Sequence, residues 1–307
     1  MKNLLKKVSF FLLLSFTLFF VLKYIFINRE PKSFNSAFVD KLKILQANKN
    51  KKKIVLIGGS SVGFGLSAEL MEQKLGITTI NLGHNATLGL VDFQSFIEKN
   101  LTKDDIIVFS PEWHIYAHPD FVDAASIDNL IRHNPEYGRL IGNPNYIVES
   151  YFASIRFSQY VHDGNEIIYR YHCYNANGDI ISHCGLKPKG PKYYSVYEDP
   201  MQLNSFANYF PFLSTNKTVY FFPPTQTRVY QEHKNYFAQI EKALVNQRSI
   251  LVDNVVDNVY PDSVFFDEGY HLTCDTRTQR TEKLISYLTN SGVVNNRSLT
   301  KNKSADQ

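Results

Sequence analysis

Ile54-Val-Leu-Ile-Gly-Gly-Ser-Ser-Val-Gly-Phe-Gly65 is the stretch on which the fold turns. Residues 54–57 are apolar without alternation, which marks a strand buried on both faces of a sheet. Two glycines stop it. Residues 66–75 then place Leu66, Leu70, Met71 and Leu75 on one helical face, with Gly76 as the stop. The unit repeats: a second strand over 78–82 ending at Gly83, a helix over 90–100 with Phe93, Phe96 and Ile97 inward, and a third strand over 105–109 ending at Ser110-Pro111. This order requires right-handed parallel crossovers. The rhythm resumes with strands over 217–222 and 250–253 and helices over 230–246 and 277–288. The expected fold class is α/β. It is a three-layer α/β/α sandwich around a doubly wound, parallel, five-stranded sheet of flavodoxin-like type, preceded by one N-terminal transmembrane helix.

The glycine-rich turn has three familiar rivals. A dinucleotide fingerprint needs a glycine two positions after Gly58, where Ser60 stands. A phosphate-binding P-loop has its spacing in Gly58 and Gly63, but Phe64 occupies the lysine position. A G-x-S-x-G elbow is matched literally with Ser61 central, yet that elbow normally follows a strand well along the chain, and here it follows the first. What remains is a serine at the carboxyl end of a parallel strand, where such sheets open their ligand crevice. A helix N-terminus follows and directs N–H groups at negative charge. Serine needs a base. His271 in Phe265-Phe-Asp-Glu-Gly-Tyr-His-Leu-Thr273 follows two acids, either of which would fix its tautomer.

Gly58-Gly59-Ser60 after strand one, Asn81-Leu-Gly83 after strand two and an acid shortly before His271-Leu272 together resemble the SGNH hydrolase (GDSL-like) superfamily. The resemblance spans about residues 54–288, apart from an insertion. It implies Ser60 as nucleophile and His271 as base. Asp267 is the orienting acid, with Glu268 as the alternative. Gly59 stands where the family usually has Asp, and Gly83 stands at an oxyanion-hole glycine. The family spaces its acid and histidine as D-x-x-H, whereas Asp267 lies four residues before His271. The G-x-N-D block is missing, since strand three ends in Ser110-Pro-Glu-Trp-His114, so Asn85 or a backbone N–H is expected to replace its Asn. His84 and Asn85, directly after strand two, are expected at the crevice mouth lining the pocket, and Glu112, at the end of strand three on the same active edge, is expected as either a substrate contact or half of a structural ion pair. Anchored members acting on envelope polysaccharides also depart from the strict G-x-N-D block. The similarity therefore implies a serine esterase or O-acyltransferase outside the cytoplasm, with no cofactor and no metal. Its partners would be an acylated or acceptor glycan and, as a further candidate, a membrane acyl-donor protein. A non-catalytic, membrane-tethered glycan-binding or assembly factor on a degenerate fold is the alternative.

The flanking sequence sets the organisation. Residues 1–7 are a short basic head with Lys2, Lys6 and Lys7, and residues 8–28 are apolar and long enough to span a bilayer. No small-residue cleavage pattern follows, so a retained anchor is expected rather than a signal peptide. The positive charges on its two flanks are nearly balanced. A single anchor with a short basic head places the domain outside the cytoplasm. A connector covers 29–53, the α/β domain 54–290 with an insertion or cap at about 120–207, and a disordered polar tail 291–307. The cap carries a predicted hairpin over 167–184 around Asn177-Gly178 and a basic turn with Lys187, Lys189 and Lys192. The net charge of +4 is diffuse, with no basic stripe, which argues against nucleic acid. Of three cysteines, Cys173 and Cys184 flank the hairpin turn as either a disulfide or two free thiols, and none has zinc-site spacing.

Overall fold

The computed structural model describes residues 2–27, 34–123, 126, 127, 130, 131, 167–194, 196, 206–210, 213, 216–245, 250, 251 and 253–294. Much of the expected cap and most of the polar tail lie outside these residues.

The chain opens with α1 (Lys2–Ile27) and α2 (Ala37–Ala47). The alternating domain follows: β1 (Lys53–Ile57), α3 (Ser60–Gly63), α4 (Ala68–Leu75), β2 (Thr78–Asn81), α5 (Leu90–Lys99), β3 (Ile106–Phe109), α6 (Trp113–Ala117) and β4 (Lys217–Tyr220). After β4 come β5 (Thr225–Gln226), α7 (Thr227–Glu232), α8 (Lys234–Val245), β6 (Ile250–Leu251), β7 (Val259–Tyr260) and α9 (Cys274–Asn290). β2, β1, β3, β4 and β6 pair in that order, every pair parallel, and β5 and β7 form a separate parallel pair.

The unalternating apolar run has the expected cause: all five residues of β1 are buried. Val55 and Ile57 face one core with Phe38 and Leu42 of α2, Phe93 and Ile97 of α5, and Phe237 and Ile240 of α8. Ile54 and Leu56 face a second core with Met71 and Leu75 of α4 and Leu284 and Leu288 of α9. Helices therefore cover both faces of the sheet. The helix expected over 66–75 is present but begins two residues later. α4 starts only at Ala68, because the Ser67 side chain caps it by accepting from Leu70 N, and it stops at Gly76, whose φ of 65° suits glycine.

At the amino ends of β1 and β3 Lys53 Nζ meets Asp105 Oδ2 at 2.6 Å with both side chains 0 % exposed. Asp105 also accepts from Lys53 N and Thr102 N. Asp105→Ala leaves two N–H groups without their acceptor and a buried ammonium with no counter-charge, held only by long bonds to Lys49 O and Lys51 O. We expect it to lower unfolding free energy by about 3–5 kcal/mol, read by urea denaturation.

α1 is the one described helix long and apolar enough to cross a membrane, with mean hydropathy 2.0 over Lys2–Val21 and no residue of that window buried. At 1.5 Å per residue its 26 residues extend about 39 Å, beyond the roughly 30 Å of a hydrocarbon core.

The predicted Asn177-Gly178 turn is present, with Gly178 at φ 89° and Tyr174 bridged antiparallel to Ile180. It docks on the end of β2, where Asn81 N donates to Asn177 O at 2.8 Å. Asp179 accepts from Ala68 N, Glu69 N, Ser67 Oγ and Asn81 Nδ2, so the hairpin caps α4 from outside. The cysteine expectation needs correction. Cys184 is bonded to Cys274, 90 residues away, and Cys173 is free and buried. Cys173 packs into a small core with Phe64, Ile168, Ile180 and Phe266, while Cys184 lies beyond the bridge, exposed, against the first turn of α9.

Candidate active site

β1 runs straight into the turn carrying Ser60. Neither glycine there has room for a side chain. A Cβ on Gly58 would lie 2.4 Å from Ser110 O, and one on Gly59 would lie 2.4 Å from each carboxylate oxygen of Glu112. Glu112, 1 % exposed, reaches across from the end of β3 and accepts from Gly59 N at 3.0 Å and Ser61 N at 2.7 Å. Burial pushes its carboxyl up, against those two N–H bonds, which favour the carboxylate. Ser61 is buried and donates its hydroxyl to Ser110 O. Ser60, between the two clamped N–H groups, is half-buried at the first position of α3.

His271 is set by a tight loop. Phe265 bridges Leu272, Phe266 N donates to His271 O at 2.7 Å and Thr273 N to Val264 O at 2.9 Å. That reversal brings Asp267, four residues back, under the ring, with Nδ1 2.8 Å from Asp267 Oδ1. Glu268 turns outward to Lys192 Nζ at 2.9 Å. Of the two candidate acids, Asp267 is the one in contact with His271.

Two residues overlooked in the sequence complete this pair. The Tyr169 hydroxyl donates to Asp267 Oδ2 at 2.6 Å and lies 3.1 Å from His271 Nδ1. Phe64 stacks on the imidazole at 4.0 Å and 14°. Phe64 N also donates to Ser60 O at 2.8 Å, so the turn that presents the serine also buttresses the histidine. Among the described residues no protein hydrogen bond engages His271 Nε2 or the Ser60 hydroxyl, and the two are not bonded to each other. Burial pushes the Asp267 carboxyl up, but the hydrogen bond and charge of His271 and the Tyr169 donor together hold it below its ordinary value. Nothing in the spacing singled out Tyr169 from the other tyrosines of its segment, and Phe64 registered only as the residue that spoils a P-loop.

Tyr169→Phe removes the hydroxyl alone. A carboxyl held low in the fold contributes stability that is present above its unfolded value of about 3.9 and is lost as pH falls through the folded value. Deleting a donor raises the folded value toward the unfolded one. We expect a loss of about 1–2 kcal/mol at neutral pH that disappears below both values, read by urea unfolding at neutral and acid pH. An equal loss at both would assign Tyr169 to packing.

The remaining expected residues are placed differently. Gly83 N donates to Asn81 Oδ1 at 2.8 Å, because the Asn81 side chain closes the turn after β2, so this N–H does not face the crevice as a spare donor. Asn85 caps a short 3-10 turn by accepting from Thr87 N and gives its amide to Asn35 Oδ1. His84 is 1 % exposed, stacked on Phe34, with Nε2 2.7 Å from Phe34 O. Burial, then the nearby Lys41, pushes the His84 imidazole well below its ordinary value, so it is a neutral core residue rather than a substrate contact. Glu112 holds the serine turn from beneath rather than lining the crevice mouth. Among the described residues, His183, Cys184 and Cys274 bring three metal-ligand atoms within 4.8 Å of one another, but two of them form the disulfide and are not free to ligate.

No family model, curated protein or solved structure matches the chain.

Proposed function

We propose that the protein is a membrane-anchored serine esterase or O-acyltransferase acting on a cell-envelope glycan, on a doubly wound fold of the SGNH type. The observation that carries this reading is the Tyr169–Asp267–His271 array, stacked through Phe64 on the turn that presents Ser60. A carboxylate fixing Nδ1 leaves Nε2 to act as base. Catalytic hydrogen bonds to a serine often tighten only once substrate is bound. Glu112 supports the resemblance, because it places a carboxylate beside Gly59, where the family usually carries Asp. The anchor and the Cys184–Cys274 disulfide suit an oxidising, extracytoplasmic setting.

In this reading Ser60 Oγ attacks the acyl carbonyl carbon as its proton passes to His271 Nε2. The oxyanion faces Ser60 N–H. Collapse breaks the bond to the leaving alcohol, which takes the proton from His271. A water or sugar hydroxyl then gives its proton to His271 and attacks the acyl-serine; the acyl–Oγ bond breaks, Ser60 Oγ takes the proton back from His271, and the acid or new ester leaves. A membrane acyl-donor protein is the proposed source of the acyl group for transfer.

One observation favours a second reading, a non-catalytic glycan-binding or assembly factor. Gly59 N, Ser61 N and Gly83 N and the Asn85 amide all have protein acceptors, which leaves few donors for an oxyanion. Acetate release from p-nitrophenyl acetate and from acetylated glycans, together with fluorophosphonate labelling, separates the two. Absence of all three activities would leave the binding reading.

A further inference from the structure

A second group of reactive side chains lies beyond the acid–histidine pair and is not used by it. In the Cys184–Cys274 disulfide, Cys184 is exposed and Cys274 half-buried, so the bond is open to solvent. Each sulfur faces a side-chain nitrogen. Arg277 Nη2 lies 3.7 Å from Cys184 Sγ, its guanidinium held in place by a 2.7 Å bond from Nη1 to Ile180 O. His183 Nε2 lies 3.3 Å from Cys274 Sγ. Cys274 is also the first residue of the 17-residue α9, with Thr273 as N-cap, where aligned peptide dipoles favour negative charge. Asp275, exposed to solvent, is the one acid beside it in the chain. An open cleft of about 510 Å³, lined by His183, Leu186, Pro188, Thr273, Cys274 and Asp275, lies on the Cys274 side of the bond, and the exposed Cys184 lies outside it.

A cation and a helix N-terminus each stabilise a thiolate, and a ring N–H aimed at the sulfur adds a hydrogen bond. A disulfide whose sulfurs leave readily as thiolates exchanges faster and is easier to reduce. We propose that Cys184–Cys274 is a thiol-exchanging disulfide, reduced by external thiols and re-formed by an external disulfide. The thiolate of a first external thiol attacks the exposed Cys184 sulfur. The S–S bond breaks, a mixed disulfide forms on Cys184, and Cys274 leaves as a thiolate at the head of α9 beside His183. A second external thiolate attacks the outer sulfur of the mixed disulfide and expels Cys184 as a thiolate facing Arg277. The two external thiols end as one disulfide, and two electrons pass to the protein. Burial holds the His183 imidazole down to about 3, so at neutral pH it faces the sulfur uncharged, and it donates to the sulfur in the tautomer that carries its proton on Nε2. The proposal does not depend on Ser60 chemistry.

Full-length protein is equilibrated with reduced and oxidised glutathione over a series of ratios, quenched with acid, alkylated and mapped by peptide mass. Cys184 and Cys274 are expected to reduce together in the native protein, with buried Cys173 left unmodified until denaturant is added. In Cys184→Ser, the pH at half-maximal alkylation of Cys274 should fall by at least about one unit below the free-thiol value of about 8.5, a tenfold gain in thiolate. Adding His183→Gln should move it back up. A disulfide that resists glutathione until the protein is unfolded overturns the proposal. So does a Cys274 thiol with an ordinary pH profile.

Discussion

Ser60→Ala abolishes covalent labelling by a fluorophosphonate, and His271→Ala slows it by about 10²–10⁴-fold, the usual worth of a positioned general base. The expectation follows from contrasts within the site. Ser61 is buried and its hydroxyl is committed to Ser110 O, whereas Ser60 sits half-open at the head of α3. Ser61→Ala should therefore retain labelling. His271 is held by Asp267 on Nδ1 and by Phe64 on its ring face, so its Nε2 is the nitrogen left for a proton. Asp267→Asn removes the charge that stabilises the imidazolium and disturbs the tautomer, and should cost labelling a comparable factor. Glu268→Gln, whose carboxylate faces Lys192, should change little. Labelling rates across these variants, each checked for a native thermal transition, decide the matter. Equal labelling of Ser60→Ala and the parent would remove Ser60 from the chemistry.

Glu112→Ala loses about 3–5 kcal/mol of folding stability. The carboxylate accepts from two buried backbone donors, Gly59 N and Ser61 N, and an unsatisfied buried N–H costs about 1–3 kcal/mol. No other described acceptor is bonded to either donor, and the space vacated lies beside two glycines that have no side chains to fill it. A domain of ordinary stability, about 5–15 kcal/mol, loses a large share of its margin to such a change. Glu112→Gln keeps the shape and one acceptor but turns an amide N–H₂ toward the second donor, so it should fall between parent and alanine. Gly59→Ala should be as damaging as Glu112→Ala, because its methyl group would enter the space of the carboxylate. Urea unfolding at neutral pH measures all three. A loss below about 1 kcal/mol for Glu112→Ala would mean that the turn finds other acceptors.

The alternation of strands and helices was legible because burial leaves a periodic mark. Every residue of β1 is apolar or, at Lys53, neutralised by Asp105, and the helices show their inward faces at 3.6-residue spacing. Boundaries were less so. The predicted helix over 230–246 is α7 and α8, broken at His233, and nothing in its apolar spacing announces the break. The acid of the pair was ambiguous because two adjacent carboxylates differ only in where a loop aims them. The backbone bonds around 265–273 send Asp267 inward and Glu268 out to Lys192.

The sequence by itself determined the parallel α/β order, the apolar N-terminal helix, the glycine turn that bears two serines, and the failure of that turn as a P-loop or dinucleotide site. These are local properties, set by side-chain size, backbone freedom and the period of apolar residues. Only the tertiary structure decided which groups are already spent. Glu112 occupies the N–H groups beside Ser60, Asn81 takes that of Gly83, His84 is sealed against Phe34, and Cys184 chooses Cys274 over Cys173. Each of these pairs residues separated by a turn or by about 50 to 90 positions. Hydrogen-bond saturation and burial depend on which distant atoms arrive first in the same small volume, and spacing along a chain carries no record of that.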